Sequence, residues 1–265
     1  MTVRSLVLLV VLLLAAPIHA HDTWLAPDRF RGAKAGPVTL SLSSGMEFPK
    51  LDHAIAPDRV ASARWHAARA RGALLTGAPA AHALEFRADR AQGMTVYSVV
   101  LHPRPSKLKR EQVREYIDHL GIPNANEVFA AWQQTSKAEQ TDYRYMKYAK
   151  TFAATGAPDS SRSWADPAEM RLELIPQNDP TCVPSGGTLD VMLLDRGKPL
   201  PRYPVALLRE GAKEPASAVT DAEGRVRLTL PAAGRYMLRA TTLEPSADTA
   251  ARWDVHLTTI TFHAE

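Results

Sequence analysis

GKPLPRYPVALLREGAKEPASAVTDAEGRVRLTLPAAGRYMLRATT, residues 197–242, is the stretch that decides the fold. It contains three short apolar runs, at Pro204–Arg209, Arg225–Leu230 and Tyr236–Thr241. Turn-forming segments separate them; in Thr220–Gly224, Asp can bond the backbone ahead of it and Gly accepts a positive φ. Short strands at this spacing, with no helix between them, predict a β-sandwich.

Strand patterns continue on both sides of this stretch. Pro37–Ser44 alternates apolar and polar residues, which is the period of a half-buried strand. The other predicted strands are Arg59–His66, Ala83–Ala88, Thr95–His102, Met170–Ile175, Thr188–Leu194 and Asp254–Phe262.

A different period appears between residues 105 and 156. Lys109–Leu120 places apolar residues on one helical face and is stopped by Gly121. A second helical segment opens at Pro123, and the pattern predicts a third over about Ala138–Ala154. We interpret about 105–156 as a helical insertion in a β domain.

The first twenty residues have the order of a secretory signal peptide. Arg4 precedes the apolar run Leu6–Ala16, and Ala20 is the small residue before the expected cut, although Ile18 is large for its position. The run is shorter than the roughly 20 residues of a membrane-spanning helix, which favours cleavage over an uncleaved anchor. The mature chain is then expected to begin at His21, outside the cytoplasm, with no membrane span.

Composition excludes several function classes. The formal net charge is +4, and the basic residues are scattered, which argues against nucleic acid as a partner. Cys182 is the only cysteine, so no internal disulfide forms, and we expect it to be a small, half-buried residue. Catalytic motifs such as the nucleophile elbow, the Walker loop and the dinucleotide fingerprint are missing, so no enzymatic activity is expected.

A mature N-terminal histidine has a chemistry of its own. The α-amine and the imidazole Nδ1 of His21 can chelate one metal ion together, and this nitrogen set suits Ni(II), Co(II), Cu(II) or Zn(II). His53 lies in the turn-like segment Leu51–Ala54, from which a second ligand can be presented. His256 and His263 are seven residues apart on one predicted strand and therefore face opposite sides.

Two other interpretations of His21 stay open. The cut can precede a histidine by chance, in which case the sandwiches form an interaction module for an envelope receptor or a glycan. Alternatively, His21 and a second histidine can hold copper in a brace that activates O₂, as in oxidative polysaccharide-cleaving enzymes.

Two family resemblances accompany these patterns. Gly197–Leu200, Thr220–Arg225 and Leu230–Tyr236 resemble the turns and strand entries of transthyretin-like or carboxypeptidase-regulatory-like sandwiches. His21–Pro27 and Ser44–Pro49 resemble the start of the exported proteins grouped as domain of unknown function 4198. Further similar segments are Lys147–Lys150, Leu172–Pro176 and Thr258–Phe262.

The second resemblance implies a periplasmic protein associated with nickel or cobalt uptake, with an outer-membrane receptor or metal transporter as its partner. It carries over His21 as the leading histidine and Trp24 as a packing residue that walls the site. Many relatives have a histidine where this chain has Tyr148, so this chain lacks one candidate ligand.

We therefore expect a mainly β protein with two β-sandwich domains. The first covers residues 21–165 and carries the helical insertion; the second covers 168–265 and is Ig-like or transthyretin-like. The expected function is non-enzymatic binding of nickel, cobalt or copper in the periplasm, with His21 and His53 as metal ligands.

Overall fold

The computed structural model describes residues 21–90, 92–156 and 161–265, and it is mainly β, as expected. The predicted signal peptide, residues 1–20, lies outside the described residues. In chain order the strands and helices are β1 (Asp22–Pro27), β2 (Arg31–Gly32), β3 (Gly36–Gly45), β4 (His53–Ala54), β5 (Val60–Ala67), β6 (Ala70–Ala73), β7 (Leu75–Pro79), β8 (Leu84–Arg90), β9 (Gly93–Leu101), β10 (Arg104–Lys109), α1 (Val113–Leu120), α2 (Ala125–Thr135), β11 (Gln140–Thr155), β12 (Leu172–Pro176), β13 (Thr188–Asp195), β14 (Lys198–Pro199), β15 (Pro204–Arg209), β16 (Ala216–Val219), β17 (Arg225–Thr229), β18 (Gly234–Pro245) and β19 (Trp253–Ala264).

These strands form three sheets. The N-terminal sheet has the order β1-β3-β8-β7, with β4 added beside β3. The central sheet has the order β16-β15-β18-β19-β11-β9-β5-β6, with β10 and β2 also paired to β11. The C-terminal sheet has the order β12-β13-β14, with β17 also paired to β13.

The central sheet is covered on both faces. Tyr97 and Ala149 belong to the core that it shares with the N-terminal sheet, whereas their neighbours Val96 and Tyr148 belong to the core that it shares with the C-terminal sheet. Since adjacent residues of a strand point to opposite faces, the two outer sheets lie on opposite sides of the central one. Each outer sheet therefore forms a sandwich with it.

The boundary expected near residues 165–168 does not separate the sheets. β19, from the second predicted domain, pairs in parallel with β11, from the first, over Tyr143–Thr151. The two sandwiches consequently share their middle sheet. The division of the chain into two domains stays a prediction.

The third helix predicted over Ala138–Ala154 is wrong, because these residues form β11. The second half of β11 is buried on both faces, so its apolar residues do not alternate with polar ones. The remaining strand signal is its content of Tyr, Thr and Phe, which favour strands. The helical insertion is consequently limited to α1 and α2.

The two helices cover the end of the central sheet that the N-terminal sheet leaves open. α1 buries Val113, Tyr116, Ile117 and Leu120, as its periodicity predicts, and it ends at Gly121 with a positive φ of 65°. Their core also includes Tyr143 and Leu257 of the central sheet. None of the described helices is long and apolar enough to cross a membrane.

One ion pair is buried between the central and C-terminal sheets. Nζ of Lys150 lies 2.6 Å from Oε1 of Glu173, and the two side chains are 1% and 2% exposed. The Glu173 carboxylate also accepts hydrogen bonds from the backbone N–H groups of Ala168 and Met170. Burial lowers the pKa of Lys150, while the adjacent Glu173 raises it. The pair therefore joins β11 to the entry of β12.

Replacing Lys150 by Met should lower the free energy of unfolding by about 3–5 kcal/mol, because the Glu173 charge stays buried without its cation. The double variant Lys150→Met/Glu173→Gln should recover part of this loss, since no charge remains and the Gln carbonyl still accepts from one of the two backbone N–H groups. Urea unfolding of the wild type, Lys150→Met, Glu173→Gln and the double variant measures the coupling. Additive effects of the two changes would contradict the assignment.

Candidate functional site

The two histidines predicted as metal ligands lie side by side. The ring centroids of His21 and His53 are 5.2 Å apart, with the rings nearly perpendicular at 87°. Both side chains are exposed, and both line the same cavity. Residues 32 positions apart in the chain thus come together at one surface.

The register of β3 explains this meeting. Ser44 pairs with Thr23 of β1 on one side and with His53 of β4 on the other. Paired residues of antiparallel strands point to the same face, and residues i and i+2 share a face. His21, two residues before Thr23, consequently lies on the same face as His53.

A close return of the chain places His53 beside β3. β3 ends at Gly45, where a Cβ atom would lie 2.6 Å from Oδ2 of Asp52. In the returning loop, Phe48 packs edge-on against Trp24, with ring centroids 5.7 Å apart. A side chain at position 45 would therefore force the Asp52 carboxylate to move and would crowd the Trp24 ring, which lies 3.0 Å from the same Cβ position.

Trp24 packs as the resemblance implies, but it does not wall the site. Its side chain is fully buried with Phe48 and Met237. It is not among the described residues that line the cavity. The reason is strand alternation, because Trp24 points to the face opposite His21 and Thr23.

The cavity beside the histidine pair has a volume of about 400 Å³. It lies between the end of the N-terminal sheet and helix α1, and β11 forms its floor through Tyr143, Tyr145 and Lys147. The volume is within the range of sites that bind small molecules. β11, which the sequence pattern misassigned, therefore carries much of the site.

The cavity has a positive lining. Arg59, Arg104 and Lys147 line it, whereas no Asp or Glu occurs among its described lining residues. Cζ of Arg59 lies 5.7 Å and Nζ of Lys147 5.4 Å from the centroid of the Tyr145 ring. Cation–π attraction to one ring offsets part of the repulsion between the two charges.

Lys147 ties the start of β1 to the central sheet. Its Nζ donates to the backbone oxygen of His21 at 2.6 Å and to Oγ1 of Thr23 at 3.0 Å. Burial lowers the pKa of Lys147 to about 8; Asp22 opposes this shift, and the nearby arginines add to it. The His21 backbone is therefore held, while its ring remains exposed.

The donor set fits a transition metal if His21 is the first residue of the mature chain. With metal–nitrogen bonds of 2.0–2.1 Å, a ring centroid lies roughly 3.1 Å from the metal, so two rings on one ion have centroids up to about 6.3 Å apart. The observed 5.2 Å is within that limit. Across the described residues no group of three or more His, Cys, Asp or Glu is placed to hold a metal, so we take the α-amine of His21 as the third protein nitrogen.

Other histidines have structural partners. Nδ1 of His82 is 3.1 Å from the backbone oxygen of Asp52, so His82 supports the loop before His53. Nε2 of His66 lies 3.1 Å from the backbone oxygen of Ser163, and burial lowers the pKa of His66.

Tyr148 is not part of the His21–His53 site. Its hydroxyl is 2.9 Å from Nδ1 of His256, and the two rings stack. His263 packs instead near Phe30, so His256 and His263 have different surroundings, as their spacing predicts. A histidine at position 148 would lie beside His256. Both positions are on the face of the central sheet opposite the cavity.

Cys182 is half-buried, as expected. Its Sγ lies 3.2 Å from Nη1 of Arg31 and 3.4 Å from Oδ2 of Asp179. Burial raises the pKa of the thiol, and Asp179 raises it further. A thiol with a raised pKa is a poor nucleophile, which agrees with a structural role.

Residues 18–244 match the family model described as Domain of unknown function (DUF4198), and this range contains His21, His53 and most of the cavity lining. The chain belongs to the DUF4198 family. The resemblance noted in the sequence is confirmed at this level. No curated protein matches this DUF4198 chain.

Several solved structures show distant similarity to this DUF4198 protein. The human OSCAR ligand-binding domain is 15% identical and covers 89% of this chain and 95% of its own, with a TM-score of 0.20. The D00-D0 domain of intimin is 9% identical and covers 92% and 99%, with a TM-score of 0.22. α-2-Macroglobulin from Escherichia coli, domains MG0-NIE-MG1, is 11% identical and covers 91% and 95%, with a TM-score of 0.22. Similarity at this level carries no statement about function.

The buried His256 predicts a pH dependence of stability. Burial lowers the pKa of His256 and Arg171 lowers it further, while Glu244 opposes the shift. The unfolded chain therefore binds a proton before the folded chain does, and the free energy of unfolding should fall as the pH drops below about 6.5. His256→Gln should reduce this dependence in urea unfolding between about pH 7 and pH 5.

The matched control is His102→Gln, because the ring of His102 is exposed. This variant should keep the wild-type dependence. Equal slopes for the wild type and His256→Gln would show that His256 does not contribute.

Proposed function

We propose that this protein is a non-enzymatic carrier of a divalent transition metal, nickel, cobalt or copper, in the periplasm. The observation that supports this is the 5.2 Å separation of the two exposed rings of His21 and His53. Imidazole nitrogen is a ligand that these metals share. The periplasmic location rests on the predicted signal peptide and on the family resemblance.

The proposed ligand set is small. It consists of the two imidazoles and, after cleavage behind Ala20, the α-amine of His21. An α-amine has a pKa near 7.7–8.0, so a metal displaces its proton at neutral pH. Three protein nitrogens leave further coordination positions of the ion open to other ligands.

Open positions and exposed rings suit a carrier that releases its metal. A partner such as an outer-membrane receptor or a metal transporter can reach the ion without unfolding the site. A structural metal site, by contrast, is closed by four protein ligands. The proposed role is therefore uptake or handling of the metal.

The test is calorimetric titration of mature protein, starting at His21, with Ni(II), Co(II) and Cu(II). His21→Ala and His53→Ala should each weaken binding of the preferred metal by at least about tenfold, or about 1.4 kcal/mol. Both side chains are exposed, so these variants should fold like the wild type. Acetylation of the α-amine should also weaken binding, because it converts the α-amine to an amide and adds no new nitrogen ligand.

His119→Ala is the matched control, since His119 lies on α1 and lines a different cavity. It should bind metal like the wild type. Unchanged binding in both His21→Ala and the acetylated protein would remove the proposal. N-terminal sequencing of the exported protein tests the cleavage site separately.

The copper brace is a second candidate because it uses the same three nitrogens. Oxidation of a glycan by copper-loaded protein, dependent on reductant and O₂, would replace the carrier role with an enzymatic one. Full-strength binding of an envelope partner by metal-free protein would instead favour an interaction module.

A further inference from the structure

We propose that the site takes its metal as a complex with a small polycarboxylate chelator, and that Arg59 and Arg104 bind the carboxylates. This inference rests on the proposed function and names the form of the cargo. The chelator is a tricarboxylate of the size of citrate. It would occupy the cavity beside the histidine pair and leave positions on the metal for the imidazoles.

The charge of the cavity is the first argument. Arg59, Arg104 and Lys147 line it without a carboxylate among its described lining residues. Such a lining repels a bare divalent cation, because clustered charges of one sign in a cleft focus their field. A metal bound to a tricarboxylate carries a net negative charge and is attracted by the same lining. The histidine pair and the positive lining thus suit a single ligand only if that ligand contains both a metal and an anion.

The size of the cavity is the second argument. About 400 Å³ is far more than one ion requires, and it lies in the range of small-molecule sites. Its lining residues include Ser106, Tyr116 and Tyr145, which carry hydroxyl groups, beside apolar residues such as Ile55 and Leu101. A hydroxycarboxylate matches this mixture of cations and hydroxyls.

The placement of the arginines is the third argument. Nη2 of Arg59 donates to the backbone oxygen of His102 at 2.9 Å, which holds the guanidinium in place beside Tyr145. Arg104 is the first residue of β10, and its side chain is exposed at the cavity. A guanidinium binds a carboxylate through two parallel N–H groups, which Lys cannot do. Two such groups match a ligand with at least two free carboxylates.

Lys147 contributes charge and not a free donor. Its Nζ already donates to the backbone oxygen of His21, to Oγ1 of Thr23 and to Oγ of Ser44. It therefore holds the metal-binding residue His21 next to the positive lining. The imidazole pair and the two arginines are thereby fixed relative to each other on one sheet.

The experiment is calorimetric titration of mature protein with three probes: Ni(II) alone, citrate alone and preformed Ni(II)–citrate. The complex should bind at least about tenfold more tightly than either component. Arg104→Glu should weaken binding of the complex by about tenfold or more, because it replaces a cation by an anion. The same variant should bind Ni(II) alone as well as or better than the wild type.

Arg71→Glu is the matched control, since it makes the same charge change on an exposed residue of β6 outside this cavity. It should affect none of the three titrations. Arg104→Gln provides a second variant without charge reversal and should weaken the complex less than Arg104→Glu.

The outcomes separate this inference from the proposed function. If Ni(II) alone binds as tightly as the complex and Arg104→Glu has no effect, the proposal of a metal–chelator cargo is wrong. The proposed carrier function is not affected by that result. Citrate alone binding as tightly as the complex would also overturn it. If His21→Ala binds every probe as tightly as the wild type does, the proposed carrier function is wrong.

Discussion

The burial of β11 on both faces is the constraint on which the rest of the structure depends. β11 pairs in parallel with β19 and antiparallel with β9 and β10, so it joins strands from both ends of the chain. Sheets then pack on both sides of it, and the ion pair of Lys150 with Glu173 is buried where one of them begins. The sheet that contains this strand is therefore shared by the two sandwiches.

The same strand also builds the site, because its two ends are covered differently. The N-terminal sheet covers one part of β11 and the helices cover another, and the cavity lies in the gap between them. Lys147 stands in this gap and bonds the backbone of His21. Folding of the core and placement of the proposed metal ligands are thus consequences of one packing arrangement.

The sequence predicts those elements whose burial is one-sided. β3, β15 and α1 show their period because one face meets solvent, and the structure confirms them. The pattern over Ala138–Ala154 predicts a helix in place of β11, because burial of the second half of this strand on both faces removes the alternation of apolar and polar residues. At the site, the chemistry of an N-terminal histidine and the turn around His53 singled out both residues. Arg59, Arg104 and Lys147 could not be found in the same way, since only the sheet register brings them together.

The proposed site also links maturation of the chain to its chemistry. Lys147 bonds the backbone oxygen of His21, so the start of β1 is held at a different group from the one that cleavage would release. Before the predicted cleavage that nitrogen is an amide, which is a poor metal ligand, and only the two imidazoles are available. Two imidazoles beside the positive charges of Arg59, Arg104 and Lys147 bind a bare metal ion weakly. Cleavage adds the third nitrogen, and an anionic chelator would balance the positive lining, so the proposed cargo would bind more tightly to the exported form.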